Sequence, residues 1–257
     1  MSIPKVIHYC WFGNSELPEL ERKCLKSWQE KLPDYKIVLW NENNSDLSEC
    51  KYVQQAYENK KFAFVSDYIR IKVLYQYGGI YLDTDVEVLK SFDPLLGAKG
   101  FLGFENKTTV GTAIIACEKN ADFAKQMIDY YNSHPFIDHL GNQNLTTNVM
   151  ILNAILKQKG LEQINKNQFI DEINIYQRDL LYPKKISDAE FRITNETITI
   201  HRMKGSWLTD RQKRRGTNKF WINICRPFLR KCQSAIIVIL GEQKTKSIEL
   251  WIRNKLK

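Results

Sequence analysis

Two carboxylates one residue apart, Asp83 and Asp85, end an apolar run that follows paired glycines in GGIYLDTDVEVL, residues 78–89. If the chain twists as the strand ends, both carboxylates can point to one side. Hard divalent cations such as Mg²⁺ and Mn²⁺ take carboxylate oxygens and leave positions for water or phosphate oxygens. A cation held there can neutralise a departing diphosphate. By itself the pair reads more readily as the solvated end of an ordinary strand, since Asp-x-Asp arises by chance in many chains. Asp67 and Arg70 lie three residues apart on the preceding segment and so share a helix face. They are either a helix-surface ion pair or the border of the same crevice.

These groups need a scaffold. Residues 60–77 (KKFAFVSDYIRIKVLYQY) predict a helix with Phe64, Tyr68, Ile71 and Tyr75 along one stripe, stopped by Gly78–Gly79. A strand over Ile80–Asp83 follows at once. Strands are also expected at Lys5–Tyr9, Tyr35–Trp40, 100–104, 111–117 and Glu196–His201, and helices at 18–31, Ala121–Asn132 and Asn148–Lys159. The alternation of strands with helices predicts an α/β domain with a mostly parallel sheet. In such sheets ligands bind beyond the carboxyl ends of the strands, where Asp83 and Asp85 fall.

The chain has 257 residues, 43% of them hydrophobic, which is enough to bury a substantial core. Its net charge of +9 is unevenly placed. Residues 208–257 hold 13 basic and 3 acidic residues, a net of +10, and the remainder is close to neutral at −1. The expected division is therefore a near-neutral body, 1–207, and a basic tail, 208–257. The six cysteines show no Cys-x-x-Cys spacing, so neither a zinc site nor a disulfide framework is indicated. No signal-peptide pattern opens the sequence, and the longest apolar run, Ala235–Leu240, is far too short to span a bilayer. The expectation is a protein of the reducing cytoplasm.

With Asp67, Arg70, Tyr81, Asp83 and Asp85 in view, SDYIRIKVLYQYGGIYLDTD resembles the core signature of the glycosyltransferase family 32 sugar transferases, the type with a DXD sugar-binding region. It is also similar to the glucosylating domain of large clostridial cytotoxins. IPKVIHYCWFGN resembles the family's first strand, and HRMKGSW (His201–Trp207) resembles a late segment of metal-dependent GT-A enzymes. The resemblance implies a GT-A-like, Rossmann-type sheet flanked by helices. It implies transfer of a hexose from a nucleoside diphosphate, with UDP-glucose or UDP-galactose favoured and GDP-mannose open, and with retention of configuration. Mn²⁺ or Mg²⁺ would be the cofactor, with Asp85 and His201 as ligands and Asp83 shared between the metal and the donor's hydroxyls. Asp67 and Arg70 would orient the sugar. Trp11 would stack on the base, Tyr81 would pack by the nucleotide, and Ser206 and Trp207 would touch the diphosphate. Asn148 is a candidate sugar contact, although Thr147–Asn148–Val149 stands where relatives carry Thr-Gly-Pro. His8 reads as a buried strand residue.

The basic tail interleaves Arg and Lys with Phe220, Trp221, Ile224, Phe228 and Trp251. That pattern fits amphipathic helices on an anionic membrane better than a helical subdomain packed on the core with a solvated basic face, and either better than nucleic acid. A peripheral enzyme at the inner face of the membrane, using a lipid-linked glycan acceptor in bacterial capsule or O-antigen assembly, is the resulting expectation. Two other classes stay open: a metal-dependent nucleotidyl or phosphoryl transferase, and a non-catalytic membrane-surface adaptor. The first would want a glycine-rich phosphate loop, and HYCWFGN offers a single glycine. The second would gain nothing from the five polar groups.

Overall fold

Strand β1 (Val6–Cys10) leads into helix α1 (Glu19–Lys31) and strand β2 (Lys36–Trp40), and the chain then returns through α2 (Lys51–Glu58) and α3 (Phe62–Tyr77) to β3 (Gly79–Leu82). There follow β4 (Val86–Val88), β5 (Gly100–Gly103), β6 (Ile114–Cys117), α4 (Asp122–Ser133) and α5 (Asn148–Gln158). The last elements are β7 (Gln168–Ile170), β8 (Ile173–Tyr176), α6 (Arg178–Leu181) and β9 (Thr199–His201). This computed structural model describes residues 3–186 and 190–203. Ser206, Trp207 and the basic segment 208–257 lie outside the described residues.

Seven strands form one sheet in the order β2-β1-β3-β6-β5-β8-β7. Pairing is parallel at β2-β1, β1-β3 and β5-β8, and antiparallel at β3-β6, β6-β5 and β8-β7. The β2-β1-β3 part is the parallel region expected from the strand–helix alternation, and the antiparallel β6 joins it to the second half.

Side chains alternate between two cores along the central strands, as the pleat requires. Ile7, Ile80, Leu82, Phe101, Ile114 and Ala116 pack with Trp28 of α1 and with Val86 and Val88. Cys10, Tyr81, Leu102, Ile115 and Cys117 pack on the opposite face with residues of α2, α3, α4 and α5. Covering both faces explains why these strands read as continuous apolar runs.

Helix α3 departs from the single stripe expected of it. Val65, Tyr68, Ile69, Arg70, Ile71, Val73 and Leu74 are all buried, so apolar contact surrounds most of its circumference. The Asp67–Arg70 pair therefore cannot be the solvated surface pair that the sequence left open. Gly78 and Gly79 make the turn out of α3 possible. Their φ angles are +67° and +107°, and a Cβ on Gly79 would meet the Val6 carbonyl oxygen at 2.7 Å. Only glycine accommodates both the conformation and the approach to β1.

Strands β4 and β9 form a separate two-stranded antiparallel ribbon, with Val86 opposite His201 and Val88 opposite Thr199. The ribbon is tied to α1: the Trp28 indole donates to the Val86 carbonyl at 2.7 Å, and the Val88 amide donates to Ser27 Oγ at 2.9 Å. Thr199 Oγ1 donates to the Leu181 carbonyl at 2.7 Å, fastening the other strand. This ribbon carries a residue from the end of the described chain back to Asp85. No helix among the described residues is long and apolar enough to cross a membrane.

Candidate functional site

The chain leaves β1 toward β2 and later crosses back to lay β3 on the other side of β1. The carboxyl ends of β1 and β3 thus flank the point where the winding reverses, the usual crevice in open α/β sheets. Trp11 follows β1 there, and Asp83 follows β3.

Arg70 reaches this crevice from α3. It is 5% exposed, and its N–H groups are committed: Nε to the Ser66 carbonyl at 3.2 Å and Nη1 to the Thr112 carbonyl at 2.9 Å. Nη1 also lies 3.1 Å from Asp83 Oδ1, and Nη2 lies 3.0 Å from Asp67 Oδ1. Its guanidinium carbon sits 4.5 Å from the Tyr81 ring centroid, and the Tyr81 hydroxyl donates to Asp83 Oδ1 at 3.0 Å. The guanidinium therefore braces two carboxylates from within, and its planar fork suits that task.

Asn148, first residue of α5, completes the brace. Its amide donates to Asp67 Oδ1 at 2.7 Å and its carbonyl accepts from Thr112 Oγ1 at 2.9 Å. Thr147 caps the helix, its hydroxyl accepting from the Met150 amide at 3.4 Å. In this structure Asn148 is buried and holds Asp67. Thr112 was not singled out from sequence; it joins the network through tertiary contact between α5 and the segment that leads into β6. Burial pushes Asp67 up to about 6, with Arg70 working against the shift and Asp83 adding to it. Burial likewise raises Asp83, again opposed by Arg70.

Asp85 faces the ribbon. Its backbone carbonyl accepts from the Arg202 amide at 3.0 Å, which locks the strand register. That register brings His201 Nε2 within 3.3 Å of Asp85 Oδ1. Arg202 Nε donates to Glu87 Oε2 at 2.9 Å across the ribbon, and Tyr182 packs edge-on against the His201 ring with centroids 5.9 Å apart. His201 Nδ1 lies 3.5 Å from Glu105 Oε1. That is an electrostatic contact only, for Nδ1 is buried and has no hydrogen bond among the described residues. Burial works against a charge on His201, but Asp85 and Glu105 outweigh it and lift the imidazole to about 10.

Asp83, Asp85 and His201 each offer a ligand atom, and the three atoms lie within 4.8 Å of one another. Two carboxylate oxygens and one imidazole nitrogen fit a hard-to-borderline divalent cation such as Mn²⁺ or Mg²⁺. At 3.3 Å, His201 Nε2 and Asp85 Oδ1 are close enough to share a proton or a cation. The structure thus brings Asp67, Arg70, Tyr81, Asp83, Asp85, His201 and Asn148 into one neighbourhood. Trp11 stands at the same sheet end, and its indole N–H donates to the Ser15 carbonyl at 2.6 Å, tying it to its own loop. His8 is the buried strand residue expected: Nε2 is 2.9 Å from the Gly78 carbonyl, and Nδ1 accepts from the Trp40 indole at 3.1 Å. Ser206 and Trp207 lie outside the described residues.

Parts of the chain are similar to known proteins. The family model for a glycosyltransferase sugar-binding region containing a DXD motif matches residues 18–102. Inositol phosphoceramide mannosyltransferase 3 of Schizosaccharomyces pombe is 30% identical over 131 residues, covering 49% of this chain and 36% of that protein. Mannosyl phosphorylinositol ceramide synthase SUR1 of Saccharomyces cerevisiae is 27% identical over 172 residues, covering 64% and 44%. The chain thus spans less than half the length of these curated relatives. Among solved structures, a PaToxG glycosyltransferase is 21% identical with a TM-score of 0.42, covering 61% of this chain and 75% of that one.

Proposed function

From the DXD-type glycosyltransferase sugar-binding region that residues 18–102 carry, we propose a retaining, metal-dependent hexosyltransferase. It moves a hexose from a nucleoside diphosphate to a hydroxyl of a lipid-linked glycan. The observation that carries this reading is the meeting of Asp83, Asp85 and His201 beside the buried Asp67–Arg70–Asp83 brace.

Asp83, Asp85 and His201 would hold Mn²⁺ or Mg²⁺, which when bound supplies positive charge to the diphosphate. Asp67, fixed by Arg70 and Asn148, presents a carboxylate edge to the donor sugar's hydroxyls. Asp83 is steadied by Arg70 and the Tyr81 hydroxyl, and it orients donor hydroxyls from the other side. Trp11 would cover the base, and Ser206 and Trp207 would meet the diphosphate. Retention follows from the family resemblance. The acceptor oxygen bonds to the anomeric carbon on the face that the phosphate leaves, and the acceptor's proton passes to the departing phosphate oxygen.

The names of the relatives support a hexose donor and a lipid-borne acceptor, since the two fungal proteins are named for mannosyl transfer to inositol phosphoceramide. They favour a mannosyl donor, for which GDP-mannose is the candidate that the resemblance left open, as a second reading beside UDP-glucose or UDP-galactose, which rest on the resemblance in residues 67–85. Residues 208–257 would bring the enzyme to anionic lipid at the inner face of the cell membrane, where surface-polysaccharide precursors are built in bacteria. A screen of UDP- and GDP-hexoses with Mn²⁺, reading released nucleoside diphosphate, identifies the donor. Product NMR then gives the anomer, and an inverted product contradicts the mechanism. Liposome flotation of the full chain tests the membrane role: equal recovery with neutral and anionic vesicles removes it.

A further inference from the structure

The geometry points to Glu105 as the residue that fixes His201 in its metal-facing form. This rests on the reading of Asp83, Asp85 and His201 as ligands. His201 stands between two carboxylates, with Nε2 3.3 Å from Asp85 Oδ1 and Nδ1 3.5 Å from Glu105 Oε1. Its position is set by the Val86–His201 pairing and by the edge of Tyr182. Nδ1 is buried without a hydrogen bond among the described residues, and a buried polar atom left so calls for an explanation.

A neutral imidazole carries one proton. If that proton sits on Nε2, it points at Asp85, and the ring has no lone pair to offer the cation. If it sits on Nδ1, the Nε2 lone pair faces the Asp83–Asp85 cluster. With no acceptor at Nδ1, Asp85 would win the proton and His201 would block its own ligand position. The Glu105 carboxylate, 3.5 Å from Nδ1, becomes the competing acceptor when that contact closes to a hydrogen bond, and so selects the useful tautomer and turns the ring. It is a positioning residue, separate from the ligand set.

Glu105 is placed for this by the turn after β5. Its amide donates to the Thr109 carbonyl at 2.9 Å, and Phe104 bridges to Val110. Gly111 leaves room beneath it, since a Cβ there would come within 3.0 Å of the Glu105 Cβ and 2.8 Å of the Tyr182 ring. The Glu105 side chain is about a quarter exposed (27%), so its replacement should leave the fold intact.

The test is Mn²⁺ affinity by electron paramagnetic resonance of the free ion, on the full chain without donor. Glu105→Ala should weaken binding roughly 10–100-fold, Glu105→Gln should recover most of it through its carbonyl oxygen, and Glu105→Ala should add nothing in a His201→Ala background. If His201→Ala loses Mn²⁺ while Glu105→Ala binds like wild type, the inference fails and the metal reading stands. If neither variant weakens Mn²⁺, His201 is not a ligand and both fail. An undiminished Glu105→Ala effect in the His201→Ala background also overturns it. Independently of any variant, ¹⁵N spectra of the Mg²⁺-loaded wild type should show His201 protonated at Nδ1; protonation at Nε2 contradicts the proposal.

Discussion

Replacing Arg70 by Met keeps an unbranched stem of the side chain and removes the guanidinium and its charge. Asp67 and Asp83, both inside the crevice, would then face each other without the cation that spans them at 3.0 and 3.1 Å. Breaking a buried pair by removing one partner costs about 3–5 kcal/mol, because the uncompensated charge remains. In a unit of this size about 1 kcal/mol moves the melting temperature by roughly 2–4 °C, so a drop of about 6–20 °C is expected at pH 7.5. The pH dependence separates this cause from simple loss of packing. Burial holds Asp67 near 6 even with Arg70 opposing it, and without Arg70 it rises further. A carboxyl whose native pKa exceeds its unfolded value costs stability above the native pKa, and that cost vanishes below the unfolded value. The deficit of Arg70→Met should therefore shrink markedly at pH 5. Adding Asp67→Asn should recover part of the loss at pH 7.5 by removing one buried charge. Thermal denaturation followed by circular dichroism at the two pH values decides the matter. A loss below about 3 °C at pH 7.5, or one that is unchanged at pH 5, would refute the reasoning.

Other outcomes follow from the same contacts. Asn148→Ala removes a hydrogen bond to the Asp67 carboxylate, so donor kcat/KM should fall roughly 10–100-fold, the equivalent of about 1.5–3 kcal/mol; an unchanged value would show that Asp67 needs no such support. Gly79→Ala forces an L side chain to φ +107° and against the Val6 carbonyl, so urea denaturation should show a loss of at least ~2 kcal/mol. His201 is held near 10 by Asp85 and Glu105 against burial, so the metal-free protein carries an imidazolium at pH 7. Its contribution to stability is complete below about 6.5 and is lost as pH rises through about 10. Mn²⁺ needs the neutral ring, so binding at pH 7 should release about one proton, read as a calorimetric enthalpy that varies with the buffer's ionisation heat; a buffer-independent enthalpy contradicts it.

The most local features were the most legible. Asp67, Arg70, Tyr81, Asp83 and Asp85 lie within nineteen residues, on one helix and the strand it feeds; spacing left the Asp67–Arg70 pair open, and the family resemblance joined the five into one site. His201 could be suspected because it ends an alternating segment, but only the ribbon with Val86 shows how it reaches Asp85. That ribbon was not foreseen, since Val86–Val88 is three residues long and has no period to read. The hairpin β7–β8 escaped for a different reason. Its turn residues, Asp171 and Glu172, both adopt positive φ, at 52° and 65°, in a place where Asn-Gly would have signalled the turn. Helix α2 spans only eight residues, too few for a convincing helical period. Glu105 and Thr112 carry no motif at all; each acquires its role from a partner that the fold brings in, His201 in one case and Asn148 in the other.

The account rests on Asp85 as an obligatory metal ligand of a sugar-transfer site. Release of nucleoside diphosphate from the preferred nucleotide-hexose should be compared for wild type and Asp85→Ala, with Mn²⁺ and with a chelator. The expected result is turnover only by wild type and only with the metal, with Asp85→Ala at the metal-free background while melting like a folded protein. Turnover that survives both the chelator and the substitution would contradict the account.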